Sequence, residues 1–278
     1  MSSPDLDVGV IYTHERELMP RLLATMSASG QGLRTRLILV DNASARDQQR
    51  ETVSAWCDYF PETRVLRNER RLSYAANLNR ILDASAARYV LLMNTDMYFD
   101  PREQCLGRMV AFMDSQPQCG AAGCRLYHAD GADAHAARRF QTLPLILARR
   151  CGLGRLLRRT VADHFYAEHA ADETWPCDWL SGCFLMVRRE AMATVGRFDE
   201  GYGKYFEDVD LCLRMARAGW QVMYHGATSC YHLEARASRN PFSADAWVHL
   251  RAYVHWLRRW GLHCDTSPLK CPADCCTR

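Results

Sequence analysis

Short apolar runs alternate with longer helix-like stretches through the first half of the chain. No other feature limits the fold as strongly. Val8–Tyr12 runs into Thr13, Leu37–Val40 into Asp41-Asn42, and Tyr89–Met93 into Asn94-Thr95-Asp96, with Arg64–Leu66 a weaker run between them. Segments 15–29, 45–59 and 73–87 carry apolar residues near helical spacing. Strands alternating with helices predict an α/β fold, a mostly parallel sheet with helices on both faces. Such open sheets bind ligands at the carboxyl ends of their strands. Thr13, Asp41 and Asp96 are therefore expected along one rim, although they lie far apart in sequence.

The second half is less regular. Arg138–Arg159 holds seven arginines and no acid, interleaved with leucines and interrupted by Pro144, Gly152 and Gly154. Two short helices and a loop are expected there. The pattern also predicts a strand over Asp178–Val187, a helix over Asp208–Ala218 and a strand over Gln221–His225. A helix over Ser243–Trp260 follows, with Ser243 as N-cap and Gly261 as its stop. There is no internal repeat and no low-complexity linker. The expected organisation is one domain over residues 1–235, divided near residue 125, followed by a C-terminal helix and tail over 236–278.

Composition narrows the function. With 35 basic and 32 acidic residues the net charge is +3, too small an excess for a dedicated nucleic-acid binder. No apolar window reaches the roughly 20 residues of a membrane-spanning helix, and Met1–Asp7 lacks the plan of a signal peptide. A cytoplasmic location is expected. The 13 cysteines are odd in number and scattered. Cys105, Cys183, Cys212 and Cys230 read as small buried hydrophobes rather than a disulfide framework. Cys264, Cys271, Cys275 and Cys276 lack the paired Cys-x-x-Cys spacing of common zinc sites.

Three groups could carry chemistry. Asp96, at a strand end, is either a turn residue or a carboxylate that holds a divalent cation and, through it, a diphosphate. Glu207-Asp208-Val209-Asp210 sets three carboxylates at a helix start. They either cap the helix dipole or supply a general base for an acceptor hydroxyl. His232 is structural unless a metal carboxylate such as Asp96 lies nearby.

The order of motifs adds context. Trp179-Leu-Ser-Gly182-Cys-Phe-Leu-Met-Val, Val195-Gly-Arg-Phe-Asp-Glu200, Phe206-Glu-Asp-Val-Asp-Leu-Cys-Leu-Arg214, Gly219-Trp and His232 follow the N-terminal runs named above. Together, over about residues 6–235, they resemble the inverting glycosyltransferase family 2, and within it the bacterial rhamnosyltransferase-type branch. The resemblance implies a GT-A fold. It also implies transfer of a sugar from a dTDP- or UDP-sugar to a glycan or lipid-linked acceptor in cell-surface polysaccharide synthesis. It assigns Thr13, Glu15, Asp41, Arg71, Asn79, Asn94 and Asp96 to the donor. Asp96 and His232 would hold Mg²⁺ or Mn²⁺. Asp208 would be the catalytic base with Glu207 beside it, and Trp179, Gly182 and Glu207 would face the acceptor. Asn94 stands where the family's metal motif often begins with Asp. His14-Glu15-Arg16 and Arg71-Leu-Ser73 also depart from the usual donor-loop residues.

The implied reaction is a single displacement that inverts the anomeric carbon. Two rivals are a nucleotidyltransferase that makes nucleotide sugars and a non-catalytic sugar-binding protein of the same fold. The first would carry a glycine-rich loop after the first strand, where this chain has Thr13-His-Glu-Arg16. A dinucleotide fingerprint is likewise missing there. The arginine-rich segment could rest on an anionic membrane surface or form a flap over the site.

Overall fold

The computed structural model describes residues 4–15, 17–44, 56, 58–60, 62–142, 145, 156–233 and 244–261. Strands β1 (Leu6–Tyr12), β2 (Thr35–Asp41), β3 (Glu62–Arg67) and β4 (Tyr89–Met93) run parallel in the order β3-β2-β1-β4. Helices α1 (Met19–Ser29) and α2 (Tyr74–Ala84) follow β1 and β3. β1 and β4 are buried along almost their whole length. Their continuous apolar runs suit strands covered on both faces. Gly9 is required where α2 lies against β1, because a Cβ there would sit 2.3 Å from Ile81 Cγ2.

The sheet continues with β5 (Met97–Tyr98), β6 (Cys119–Tyr127), β10 (Phe184–Arg188) and β11 (Gln221–His232), giving the order β3-β2-β1-β4-β10-β6-β11-β5. β10 is antiparallel to both β4 and β6, whereas β11 runs parallel to β6. β8 (Thr174–Pro176) pairs with β11, and β7 (Ala137–Arg138) pairs with β9 (Trp179–Leu180) as a separate ribbon. The remaining α-helices are α3 (Cys105–Ser115), α4 (Arg158–His164), α5 (Arg189–Val195), α6 (Glu207–Arg217) and α7 (Ala244–Trp260).

One buried carboxylate fastens the end of the sheet opposite the ligand rim. Asp7 is fully buried and accepts hydrogen bonds from Arg36 Nε (2.8 Å) and Nη2 (2.9 Å), Ser85 Oγ (2.6 Å), and the amides of Ala86 (2.7 Å) and Ala87 (2.9 Å). Burial alone would raise its pKa, but these donors outweigh it and hold the carboxyl below its usual range.

Several elements differ from the sequence expectation. The single strand over Asp178–Val187 is two, β9 and β10, parted by Ser181–Cys183, where the Ser181 amide bonds to Ala136 O. The strand beginning at Gln221 extends to His232 because β6 and then β5 supply partners along it. β6 carries too little sequence signal to be foreseen, being built largely from Gly, Ala and Cys, whereas Asp100-Pro101, a helix start in the sequence, opens a short turn of helix just before α3. The helix over 45–59 and most of the arginine-rich segment lie outside the described residues, as do Ser243 and the tail cysteines. Cys105, Cys183, Cys212 and Cys230 are buried and unbridged.

α7 packs closely on the sheet domain. Ala252 and Trp256 are buried, Trp256 lies against Phe206 and Phe140, and Trp260 Nε1 donates to Asp210 Oδ1 at 2.8 Å. Gly261 ends the helix at φ +78°, a conformation suited to glycine.

Candidate active site

The carboxyl ends of β1, β2 and β4 meet on one rim, with Tyr12 opposite Asp41 and Val10 opposite Met93. At its β2 end, Asp41 Oδ1 accepts from the Ser44 amide at 2.9 Å, while Oδ2 is buried without a hydrogen-bond partner among the described residues. Asn42 Oδ1 accepts from Asn68 Nδ2 and the Leu72 amide, both at 2.9 Å, and Asn68 Nδ2 also reaches Asn77 Oδ1 at 2.7 Å. This amide network fixes the loop between β3 and α2. Arg71 is exposed on that loop.

Two donor expectations change. Glu15 Oε2 accepts from the amides of Thr13 and His14, each at 2.9 Å, so one of its oxygens shapes the turn after β1. Asn79 is buried on α2, and both ends of its amide are engaged. It accepts from the Phe198 amide and donates to Phe198 O and Glu200 Oε1. These contacts pin the 198–200 turn.

Beyond β4, the chain turns through Asn94-Thr95-Asp96 into β5. There Met97 pairs with His232, the last residue of β11. The pairing brings His232 Nε2 to 3.3 Å from Asp96 Oδ1, joining residues from opposite halves of the chain. Burial alone would lower the His232 pKa. Its hydrogen bond to Asp96 and the neighbouring Cys183 thiol outweigh this and push it up to about 10.

The carboxylate pair stands across the same mouth. Tyr205 and Phe206 both hold left-handed φ values, +72° and +68°, immediately before α6. Non-glycine residues pay strain in that region, which concentrates at functional sites. Asp208 Oδ2 accepts from the Gly182 amide at 2.9 Å and Oδ1 from the Val209 amide at 2.8 Å. Glu207 is buried, and its Oε2 has no hydrogen-bond partner among the described residues. Burial first, and the Asp208 charge second, push Glu207 up to about 8, and burial raises Asp208 as well. The pair thus holds a proton at neutral pH. The two backbone amides on Asp208 favour leaving the charge there. Asp210 belongs elsewhere: it is buried, bound to Arg214 Nε at 2.8 Å, and accepts from Tyr202 and Trp260.

Trp179, expected at the acceptor cleft, is buried. Its indole donates to Arg139 O at 2.9 Å, and the Arg138 guanidinium lies 4.9 Å above its ring. It shapes the wall by packing and keeps little surface for a ligand. Tyr74 was not foreseen. Its hydroxyl donates to Asn94 Oδ1 at 3.1 Å, and its pKa is raised by burial and by the charges of Glu207, Cys183, Asp208 and Asp96. It therefore sits between the Asp96 end and the carboxylate pair. The one available signal was an aromatic directly after the helix-capping Ser73.

A parallel half built on β1–β4, a reversed β10, and the acidic start of α6 held against the turn before β10 by the Gly182–Asp208 bond are the parts that a transferase of the GT-A class assembles. The family model for glycosyl transferase family 2 matches residues 7–196, and the chain belongs to that family. A relative, the N-acetylglucosaminyl-diphospho-decaprenol L-rhamnosyltransferase of Mycobacterium tuberculosis, is 30% identical, the match covering 89% of this chain and 82% of that protein. Rhamnosyltransferase WbbL of Escherichia coli is 38% identical over 82 residues, 30% of this chain and 31% of that one. Among solved structures, GalNAc-T7 with UDP, GalNAc and Mn²⁺ superposes with a TM-score of 0.66 at 12% identity, covering 93% of this chain and 48% of the other. A mannosyltransferase from Pyrobaculum calidifontis in complex with GDP-Man and Mn²⁺ gives 0.58 at 18% identity, covering 96% and 74%. The fold is GT-A, and the protein is a glycosyltransferase.

Proposed function

We propose that the chain transfers L-rhamnose from a dTDP-sugar to a hydroxyl on a lipid-linked N-acetylglucosamine, inverting the anomeric centre, in the synthesis of a cell-surface polysaccharide. The observation that carries the reading is the meeting of two pairs at one mouth, Asp96–His232 and Glu207–Asp208, with Tyr74 between them. The choice of sugar and acceptor rests on the mycobacterial relative.

Asp96 and His232 supply an oxygen and a nitrogen donor on adjoining strands, a set that suits Mg²⁺ or Mn²⁺. A divalent cation held by these two residues would supply positive charge to offset that of the departing diphosphate. In this reading Asp41 and the turn at Thr13–Glu15 receive the nucleoside, and the exposed Arg71 on the loop between β3 and α2 meets the diphosphate. Asp208, ionised and aimed by the Gly182 amide, takes the proton of the acceptor hydroxyl as that oxygen attacks the anomeric carbon. Glu207 holds the shared proton beside it.

No described helix is long and apolar enough to cross a membrane. The positive charge of the 138–159 segment would draw the chain to the anionic surface that carries a lipid-linked acceptor. The test is to incubate the purified chain with dTDP-L-rhamnose, Mn²⁺ and a short-chain N-acetylglucosaminyl diphosphate lipid. Product is followed by mass spectrometry and its linkage by NMR. Transfer of one deoxyhexose with inversion supports the reading. Transfer only from another nucleotide sugar overturns the donor assignment.

A further inference from the structure

Three cysteines from three separate elements meet in the core, apart from the carboxylate mouth. Cys105 opens α3, Cys124 lies in β6 and Cys230 in β11, and all three are fully buried. Their sulfurs lie within 4.8 Å of one another, and Cys124 Sγ is 3.4 Å from Cys230 Sγ. The described cysteines are free thiols. A tetrahedral ion with metal–sulfur bonds of about 2.3 Å holds its sulfurs about 3.8 Å apart, a spacing between the 3.4 Å of Cys124–Cys230 and the 4.8 Å limit of the cluster.

A second observation points to a ligand. The pairing of β11 with β6 slips between His225 and Ser229, so that His225 stands opposite Cys124 and Ser229 opposite Arg125. Residues 226–228 are extra on the β11 side. Such bulges re-aim side chains and break pairing. This one carries Thr228, whose buried hydroxyl lies against the Cys105 sulfur and interacts with it. The same oxygen can ligate an ion or donate to a thiolate.

We propose that Cys105, Cys124 and Cys230 form a binding site for a soft d¹⁰ cation of the Zn²⁺ kind, with Thr228 Oγ1 completing its shell. Binding converts three thiols to thiolates and releases three protons to solvent. Three thiolates on a dication leave one net negative charge, which the Thr228 hydroxyl, the first-turn amides of α3 and the nearby His225 ring help to offset. The site is distinct from Asp96–His232, whose oxygen and nitrogen donors suit harder ions. Side-chain alternation nevertheless sets Cys230 and His232 on one face of β11, about 7 Å apart along the strand.

The test uses the full chain with Cys264, Cys271, Cys275 and Cys276 changed to Ser, so that tail thiols contribute nothing. Incubation with Cd²⁺ under reducing conditions should take up one ion per chain with the intense ultraviolet charge-transfer band of cadmium thiolates. The band should survive Asp96→Ala and disappear in Cys124→Ala and Cys230→Ala. Thr228→Val should weaken binding about tenfold. X-ray absorption of the zinc-loaded parent should show three sulfur neighbours, a readout that does not depend on whether the alanine variants fold. A missing band, a band retained in Cys230→Ala, or fewer than three sulfurs overturns the proposal.

Discussion

Gly182→Ala should slow transfer while leaving the protein at least as stable as before. Gly182 has no left-handed φ, so its backbone accepts alanine. The added methyl would stand 3.3 Å from Asp208 Oδ2 and 3.5 Å from Asp208 Cβ. Contacts that short are rare, so the carboxylate must give by a few tenths of an ångström. It has little freedom to do so, because its oxygens are already held by the amides of Gly182 and Val209. A misplacement of about 1 Å in a catalytic group can cost roughly 10²-fold. A smaller shift in a tethered base should lower kcat about 10- to 30-fold, equivalent to about 1.4–2 kcal/mol. The melting temperature should hold or rise, since alanine in place of glycine restricts the unfolded chain by about 0.4–1 kcal/mol. Donor KM should not change, because the atoms nearest the added methyl all belong to Asp208. Steady-state kinetics with calorimetric melting would measure both effects. An unchanged kcat in a protein of normal stability would show that Asp208 is not the base, or that its aim does not limit the reaction.

Four further outcomes are expected. Asp208→Asn should lower kcat by about 10²- to 10⁴-fold with donor binding retained, as read by titration calorimetry of dTDP with Mn²⁺. Asp96→Ala should remove the difference between nucleotide affinity in Mn²⁺ and in EDTA, and a preserved difference would place the cation elsewhere. Glu207 is raised to about 8 in the folded state, so the native protein binds the extra proton and stability falls as pH rises from about 4.5 to 8. Glu207→Gln should therefore gain stability relative to wild type as pH rises through that window in denaturant titrations, and a constant difference would refute it. Asp7→Asn acts with the opposite sign: the depressed carboxyl stabilises above the unfolded value near 3.8, and that contribution is lost as pH falls through its lower folded pKa. Breaking its buried pair with Arg36 should cost about 3–5 kcal/mol at pH 7, with the difference shrinking in acid.

The parallel half was legible in the sequence because β1 and β4 are buried on both faces and β1, β2 and β4 run into polar residues, which makes those runs short, apolar and sharply bounded. Asp41 and Asp96 could be placed on one rim from that alone. The meeting of Asp96 with His232 could not be read so directly, since it depends on two-residue β5 pairing with the far end of β11. The engagements of Asn79 and Trp179 were not legible, because residue type reveals nothing of tertiary partners: one holds the 198–200 turn, the other donates to Arg139 O beneath the Arg138 guanidinium. Asp210 shows the converse, an acid whose tertiary partners, Arg214 and Trp260, account for it fully. The cysteine cluster was hidden because burial makes a thiol look like any small hydrophobe until three of them converge.

The reversed direction of β10 has consequences for how such a chain can diversify. Every parallel strand presents the segment that follows it to the substrate, but β10 presents the segment that precedes it. Ser181–Cys183 reach the mouth, while Arg188 and α5 are carried to the opposite edge, where Arg188 bonds to Cys119 O and Met113 O. Insertions after β10 would therefore accumulate without touching substrate, whereas changes in the few residues between β9 and β10 would alter the acceptor side and leave the nucleotide side intact. Exchange of acceptor preference between relatives should accordingly follow grafting of the 178–183 stretch, not of α5.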